Sequence, residues 1–191
     1  MAYKPKIVAF AGSLRKDSFN KKIAKIAADG AENAGAEVTF IDLRDYPMPI
    51  FDQDEEAESG LPENAEKLQK IFKEQDGFII SSPEYNSSVT AVLKNTIDWV
   101  SRPPSENLSA FKGKVAVLMS ASPGGLGGLR GLVHIRATLG NIGVTVLPQQ
   151  IAVSAVHDAL DEKGDIKDSS RHEAIKNLGA DLAETCRKLK S

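Results

Sequence analysis

Apolar residues along this chain fall into two kinds of segment. Some are short continuous runs; others are longer stretches with apolar positions three and four apart. Ile7-Val8-Ala9-Phe10-Ala11 is a continuous run ending at Gly12. It predicts a strand buried on both faces. After Ser18 the period changes: Phe19, Ile23, Ile26, Ala27, Ala31 and Ala34 share one helical stripe, which Gly35 ends. Residues 38–41 predict a second strand. The span 42–61 reads as loop, punctuated by Pro47 and Pro49. Pro62 opens a helix with Ala65, Leu68 and Phe72 on its buried side. Gly77 precedes a third strand at 78–81. Val89, Val92, Leu93, Thr96, Ile97 and Val100 mark the next helix, stopped by Pro103-Pro104. Residues 114–119 predict a fourth strand, entering a Gly-rich loop at 120–128. A helix follows to about Leu139, then a fifth strand at 144–147. The polar run 158–170 reads as a surface loop. A last helix carries Ile175, Leu178, Leu182, Cys186 and Leu189 on one stripe.

Strand and helix alternate, so right-handed crossovers predict an α/β fold with a parallel sheet and helices on both faces. There is no internal repeat, and 191 residues suit a single domain spanning 1–191. Five strands favour the flavodoxin-like order 2-1-3-4-5 over a six-strand dinucleotide-binding fold.

Composition narrows the chemistry. Hydrophobic residues at 41% and charged residues at 26% suit an ordinary globular protein. A net charge of -2 gives no field to attract nucleic acid or an anionic membrane. One cysteine, Cys186, excludes an intramolecular disulfide and a thiolate metal cluster within the chain. His134, His157 and His172 lack metal-ligand spacing, so no metal site is expected. The first apolar run is too short for a signal-peptide core or a membrane span, so a cytoplasmic location is expected.

In an open parallel sheet, ligands bind beyond the carboxyl ends of the strands. Three unusual loops follow strands one, three and four. In the first, Gly12 permits a sharp exit and Ser13, Arg15, Ser18 and Asn20 supply donors. The next helix, opening at Phe19, adds free backbone N–H groups and its positive end. That set suits a phosphate. It lacks both the Walker A ending and the Gly-x-Gly-x-x-Gly fingerprint. The plainer alternative makes Ser18 a helix cap and Arg15 a solvated residue. The second loop is Ser82-Pro83-Glu84-Tyr85-Asn86-Ser87-Ser88. Tyr85 can lie against a planar ring, Asn86 can bond polar ring atoms, and Glu84 can hold the loop. Packing and capping are the alternatives there. The third runs from Ser120 through Ser122, Pro123, Gly124 and Gly125 to Gly128. Its glycines suit close approach of backbone to a ligand, or else a mobile loop. Together the loops point to a phosphate-bearing planar ligand such as flavin mononucleotide, FMN.

These loops resemble those of the NADPH-dependent FMN reductase family, which includes soluble quinone, azo-dye and chromate reductases. The resemblance rests on Gly12-Ser13-Leu14-Arg15 with Ser18 and Asn20, on Pro83-Glu84-Tyr85-Asn86, and on Leu93-Lys94-Asn95 with Ile97-Asp98-Trp99. Gly124, Gly127 and Gly128 with Arg136 extend it, from Ile7 to about Gln150. It implies that Ser13, Arg15, Ser18 and Asn20, beside Phe19, hold the FMN phosphate. It implies that Pro83, Glu84, Tyr85 and Asn86 line the ribityl chain and ring. Ser120, Ser122, Pro123, Gly124 and Gly125 would lie near the ring's other polar edge. It also implies a homodimer or homotetramer, with the helix over 89–100 at the interface; Trp99 and Ile97 are equally consistent with core.

The implied activity is hydride transfer from NADPH or NADH through flavin N5 to a small-molecule electron acceptor, with no protein nucleophile. No catalytic residue is assigned. Arg130 and His134 are candidates to meet a pyridine-nucleotide phosphate, and Asp98 is a general acid or simply a cap or salt-bridge partner. Four alternatives stay open: a reductase that releases reduced FMN, a flavodoxin-like electron carrier, a hydrolase using the phosphate loop, and a non-catalytic flavin sensor.

Overall fold

The computed structural model describes residues 3–102 and 108–190. The Pro103-Pro104 helix stop lies outside the described residues. Five strands form one parallel sheet in the order β2-β1-β3-β4-β5. They are β1 (Lys6–Ala11), β2 (Glu37–Ile41), β3 (Gly77–Ser81), β4 (Val115–Ala121) and β5 (Thr145–Val153). The helices are α1 (Phe19–Asn33), α2 (Gln53–Ser59), α3 (Glu63–Lys73), α4 (Ala91–Val100), α5 (Leu129–Asn141), α6 (Val156–Ala159) and α7 (Ser169–Leu189). None of the described helices is long and apolar enough to cross a membrane.

Side-chain alternation along the strands splits the core in two. Ile7, Ala9, Ile79, Val117 and Met119 face α1 and α7, meeting Ile23, Ala27, Ile175 and Leu182. Val8, Phe10, Phe78, Ile80 and Leu118 face the other way. They meet Phe72 of α3, Leu93 and Ile97 of α4, and Ile135 of α5. Trp99 and Ile97 are buried, which makes them core residues. The β3 and β4 runs are apolar because both of their faces are covered.

Several boundaries differ from the expectation, each for a physical reason. β4 continues through Ser120 and Ala121, so the Gly-rich loop begins at Ser122. β5 runs six residues past Leu147, to Val153, despite Pro148. It is an edge strand, where a missing N–H is tolerated. Ala116 pairs with Val146 and Leu118 with Gln150, so residues 147–149 bulge opposite Val117. Arg136 fills the gap: its guanidinium donates to the carbonyls of Val146 and Leu147 and to Gln150 Oε1. Within 42–61 the chain makes a short 3-10 turn, Leu43–Asp45, and α2. α2 buries nothing, so no apolar periodicity announces it. The span 158–170 is not wholly surface: Leu160 and Ile166 are buried and bridge each other. Leu189, at the end of the α7 stripe, is exposed.

Candidate functional site

The exit from β1 is built on close backbone approach. Gly12 N–H donates to Ser81 O at 2.9 Å, and Gly12 O accepts from Thr90 Oγ1 at 2.8 Å. A Cβ at Gly12 would lie 2.6 Å from Ser82 Oγ and 3.1 Å from Leu93 Cβ, so even alanine would crowd Ser82 at this exit. Thr90 also accepts from Leu93 N–H, capping α4. One threonine therefore couples the phosphate-type loop to the helix after β3.

Beyond Gly12, Ser13 is buried and its Oγ accepts from Arg15 N–H. The Arg15 guanidinium lies 5.8 Å from the centre of the Phe19 ring and makes no salt bridge among the described residues. Ser18 precedes α1 in extended geometry, but its hydroxyl makes no capping hydrogen bond. The first turn of α1 holds no acidic residue. Lys21 and Lys22 N–H donate to Ser18 O, and the N–H groups of Phe19 and Asn20 before them are the ones a helix start leaves without a partner inside the helix. Asn20 is buried and engaged elsewhere. Its Nδ2 donates to Ala121 O at 2.9 Å. Its Oδ1 accepts from Ser81 Oγ at 2.8 Å and from Ala121 N–H at 2.9 Å. It pins the start of α1 to the ends of β3 and β4.

The three loops do converge. Ser13, Arg15, Ser18, Phe19 and Asn20 share one cleft with Pro83, Glu84, Tyr85, Ser122 and Pro123, and Ala121 joins them. Asn86 projects at an exposed turn, and Gly124 and Gly125 lie exposed on the third loop. Ser120 lies beneath the site instead. It is fully buried in β4, and its Oγ finds no partner among the described residues. A Cβ on Gly128, at φ 91°, would fall 1.8 Å from that oxygen.

The family model described as NADPH-dependent FMN reductase matches residues 5–158, which include every one of these loops. The chain belongs to this family. An NAD(P)H-dependent FMN reductase from Pseudomonas aeruginosa is 33% identical over 171 residues, 89% of this chain and 89% of its own. An NAD(P)H:quinone oxidoreductase from Solanum tuberosum is 38% identical over 140 residues, 71% of this chain and 69% of its own. The solved structure of FerB, a flavoenzyme NAD(P)H:(acceptor) oxidoreductase from Paracoccus denitrificans, superposes with a TM-score of 0.79. It is 27% identical and the match covers 96% of this chain and 98% of that one.

In this member of the FMN reductase family the loop after β3 is clamped to α5. Tyr85 and Ser88 exchange both backbone hydrogen bonds at 3.1 Å. Asn86 and Ser87 between them take φ values of 52° and 65°, the left-handed region that costs non-glycine residues energy. The surroundings hold this turn in place. The Glu84 carboxylate, 8% exposed, accepts from Gly131 N–H and from Arg130 Nε, both at 3.0 Å. Ser88 Oγ and His134 Nδ1 are 2.9 Å apart. Arg130 and His134 thus brace the loop, a role their sequence positions did not disclose. Asp98 pairs with Lys94 on its own helix at 2.8 Å.

Burial pushes the Glu84 pKa up, but the Gly131 N–H and the Arg130 guanidinium outweigh it and hold the carboxyl below its usual range. The clamp is therefore at full strength above the ordinary value of 4.5 and is lost as pH falls through the lowered folded value. Glu84→Gln is expected to lower Tm by about 3–6 °C at neutral pH. That deficit should shrink in acid, as melts of both proteins across the carboxylate range would record.

Proposed function

We propose that the chain is an FMN-dependent oxidoreductase carrying electrons from NADPH or NADH to quinones or similar acceptors, such as azo compounds and metal oxyanions. The observation that carries this reading is the start of α1. Phe19 and Asn20 at the helix start, the Ser18 hydroxyl that caps nothing and the Arg15 guanidinium border one cleft, with no acidic residue in the helix's first turn. The donor set fits a phosphate dianion. Ser13, Arg15 and Ser18 would hold it, and Asn20 would act by fixing α1 against β4. Pro83, Glu84, Tyr85 and Asn86 would line the rest of the cofactor from the clamped turn. Ser122 to Gly125 would supply backbone donors on the opposite side, with Ser120 supporting them from below.

Bound there, FMN would supply two-electron chemistry, taking up hydride from NAD(P)H and returning the electrons to an acceptor that draws its protons from solvent. The chain's own residues bind and orient. Tyr85, 54% exposed, leaves one side of the site open for donor and acceptor in turn. No side chain is required as a nucleophile. Cys186 is buried on α7 with its thiol pushed up to about 12, chiefly by desolvation. The relatives' names, an NAD(P)H:quinone oxidoreductase and an NAD(P)H-dependent FMN reductase, support the same activity here; a homodimer or homotetramer is what the family resemblance implies.

The test is direct. Protein soaked in FMN and desalted should be yellow, keep its colour through dialysis, and oxidise NADPH or NADH when a quinone is added. Bound FMN without nicotinamide oxidation would make it an electron carrier or sensor. Colour lost on dialysis would make it a reductase releasing reduced flavin. No FMN binding at all would sink the proposal.

A further inference from the structure

We propose that the chain leaving β5 is a fourth wall of the phosphate site, and that His157 on it is a positioning residue. The His157 ring holds Phe19, and Phe19 holds the Arg15 guanidinium ready for the phosphate. The inference rests on the flavin reading above and assigns part of its phosphate specificity to an element outside the three loops.

The contact itself is aromatic. The His157 and Phe19 rings meet edge to face at 87°, with centroids 4.8 Å apart. This geometry is favoured because the positive edge of one ring meets the negative face of the other. Phe19 is the first residue of α1 and is only half-buried. It lines the cleft beside Arg15 and Ser18, while His157 touches the ring from outside that cleft.

Backbone aims His157. Ser122 N–H donates to Val153 O at 3.1 Å, and Val156 N–H donates to Ser122 O at 3.2 Å. Val156 is fully buried, and a Cβ on Gly127 would lie 2.7 Å from Ser154 N. The third loop and the exit of β5 are thus one packed unit. Within it Ala155 takes φ 45° and ψ 46°, a left-handed conformation that costs a residue with a Cβ energy. That strained turn sits two residues before His157. The same segment meets α1 again at Gly164, where a Cβ would lie 2.8 Å from Lys22 Cδ. Lys22 Nζ is itself 5.9 Å from the centre of the Phe19 ring.

Arg15 gains from such support. It is exposed, and its guanidinium lies 5.8 Å from the centre of the Phe19 ring, within reach of a cation–π attraction. A long, exposed arginine loses rotamer freedom when it grips a phosphate. A ring fixed beside the guanidinium removes part of that loss before the ligand arrives.

Fluorescence titrations of FMN and riboflavin into the wild type, His157→Ala and His157→Phe test this. His157→Ala should weaken FMN by about three- to tenfold, the range of one aromatic pair, and riboflavin by less than about twofold. His157→Phe keeps a ring against Phe19 and should return FMN to within about twofold of wild type. In an Arg15→Ala background, His157→Ala should change FMN affinity by less than about twofold, because the group it acts through is gone. Unchanged FMN affinity in His157→Ala would overturn the proposal. So would equal loss of both flavins, a loss that phenylalanine does not recover, or a loss of the same size without Arg15. Failure of the wild type to bind FMN would refute the flavin reading itself. Wild-type binding with any of those variant results refutes only the role of His157.

Discussion

Valine in place of Gly179 is expected to destabilise the protein by about 3 kcal/mol or more, and even alanine should be poorly tolerated. The reason is the crossing of α1 and α7. A Cβ on Gly179 would lie 1.8 Å from Ala27 O, and one on Gly30 would lie 2.0 Å from Lys176 O. Both obstacles are backbone atoms of the facing helix, so no rotamer change relieves them. The helices must separate, and the contacts of Ile23, Ala27, Ile175 and Leu182 would loosen with them. α1 also carries the phosphate-type cleft at its start, where Asn20 fixes it to β4. Urea unfolding of Gly179→Val and Gly30→Val reads the effect. A midpoint indistinguishable from wild type in both would mean that the two helices can part without loss.

Neither glycine was singled out by the sequence pattern. Gly30 lies inside a helical stripe and Gly179 beside one, where the default expectation is a modest propensity cost. Their meaning appears only when two distant helices cross. The sheet was easier to read. Its central strands are buried on both faces, and continuous apolar runs follow directly from that. α2 was invisible because it buries no residue. The extension of β5 was hidden because its outer half is held by Arg136 at a bulge around Pro148, not by a regular apolar pattern.

The site was legible to the same depth. Loop positions relative to the sheet edge follow from topology, so the grouping of Ser13, Arg15 and Ser18 with Pro83 and Tyr85 could be anticipated. The direction of individual side chains could not. Asn20 turns inward to β3 and β4, and Ser120 lies under Gly128. Glu84 lines the cleft, but its carboxylate is committed to Gly131 N–H and Arg130 at the start of α5.

Arg15→Ala is expected to weaken FMN by roughly ten- to hundredfold, the range for losing a hydrogen bond to a charged group. Riboflavin, which has the same ring and ribityl chain but no phosphate, should change by less than about twofold, since no charged group is lost from its contacts. The comparison is informative because Arg15 has two contacts to lose. Its guanidinium also lies 5.8 Å from the Phe19 ring, and removing it could loosen the whole loop. A loosened loop would penalise both ligands alike, whereas a lost phosphate partner penalises FMN alone. Arg15→Lys separates the two further: it keeps the charge, so it should recover part of the FMN affinity, but not the planar fork that grips two oxygens. Arg15 is exposed, so salt should narrow the gap between FMN and riboflavin in the wild type and barely affect it in Arg15→Ala. The gap should also shrink as pH falls below about 6, where a phosphomonoester loses its second charge. Fluorescence titrations of both flavins, at two salt concentrations and across that pH range, measure all of this. Equal loss for FMN and riboflavin in Arg15→Ala, with no FMN-selective recovery in Arg15→Lys, would mean that Arg15 holds the loop and not the phosphate.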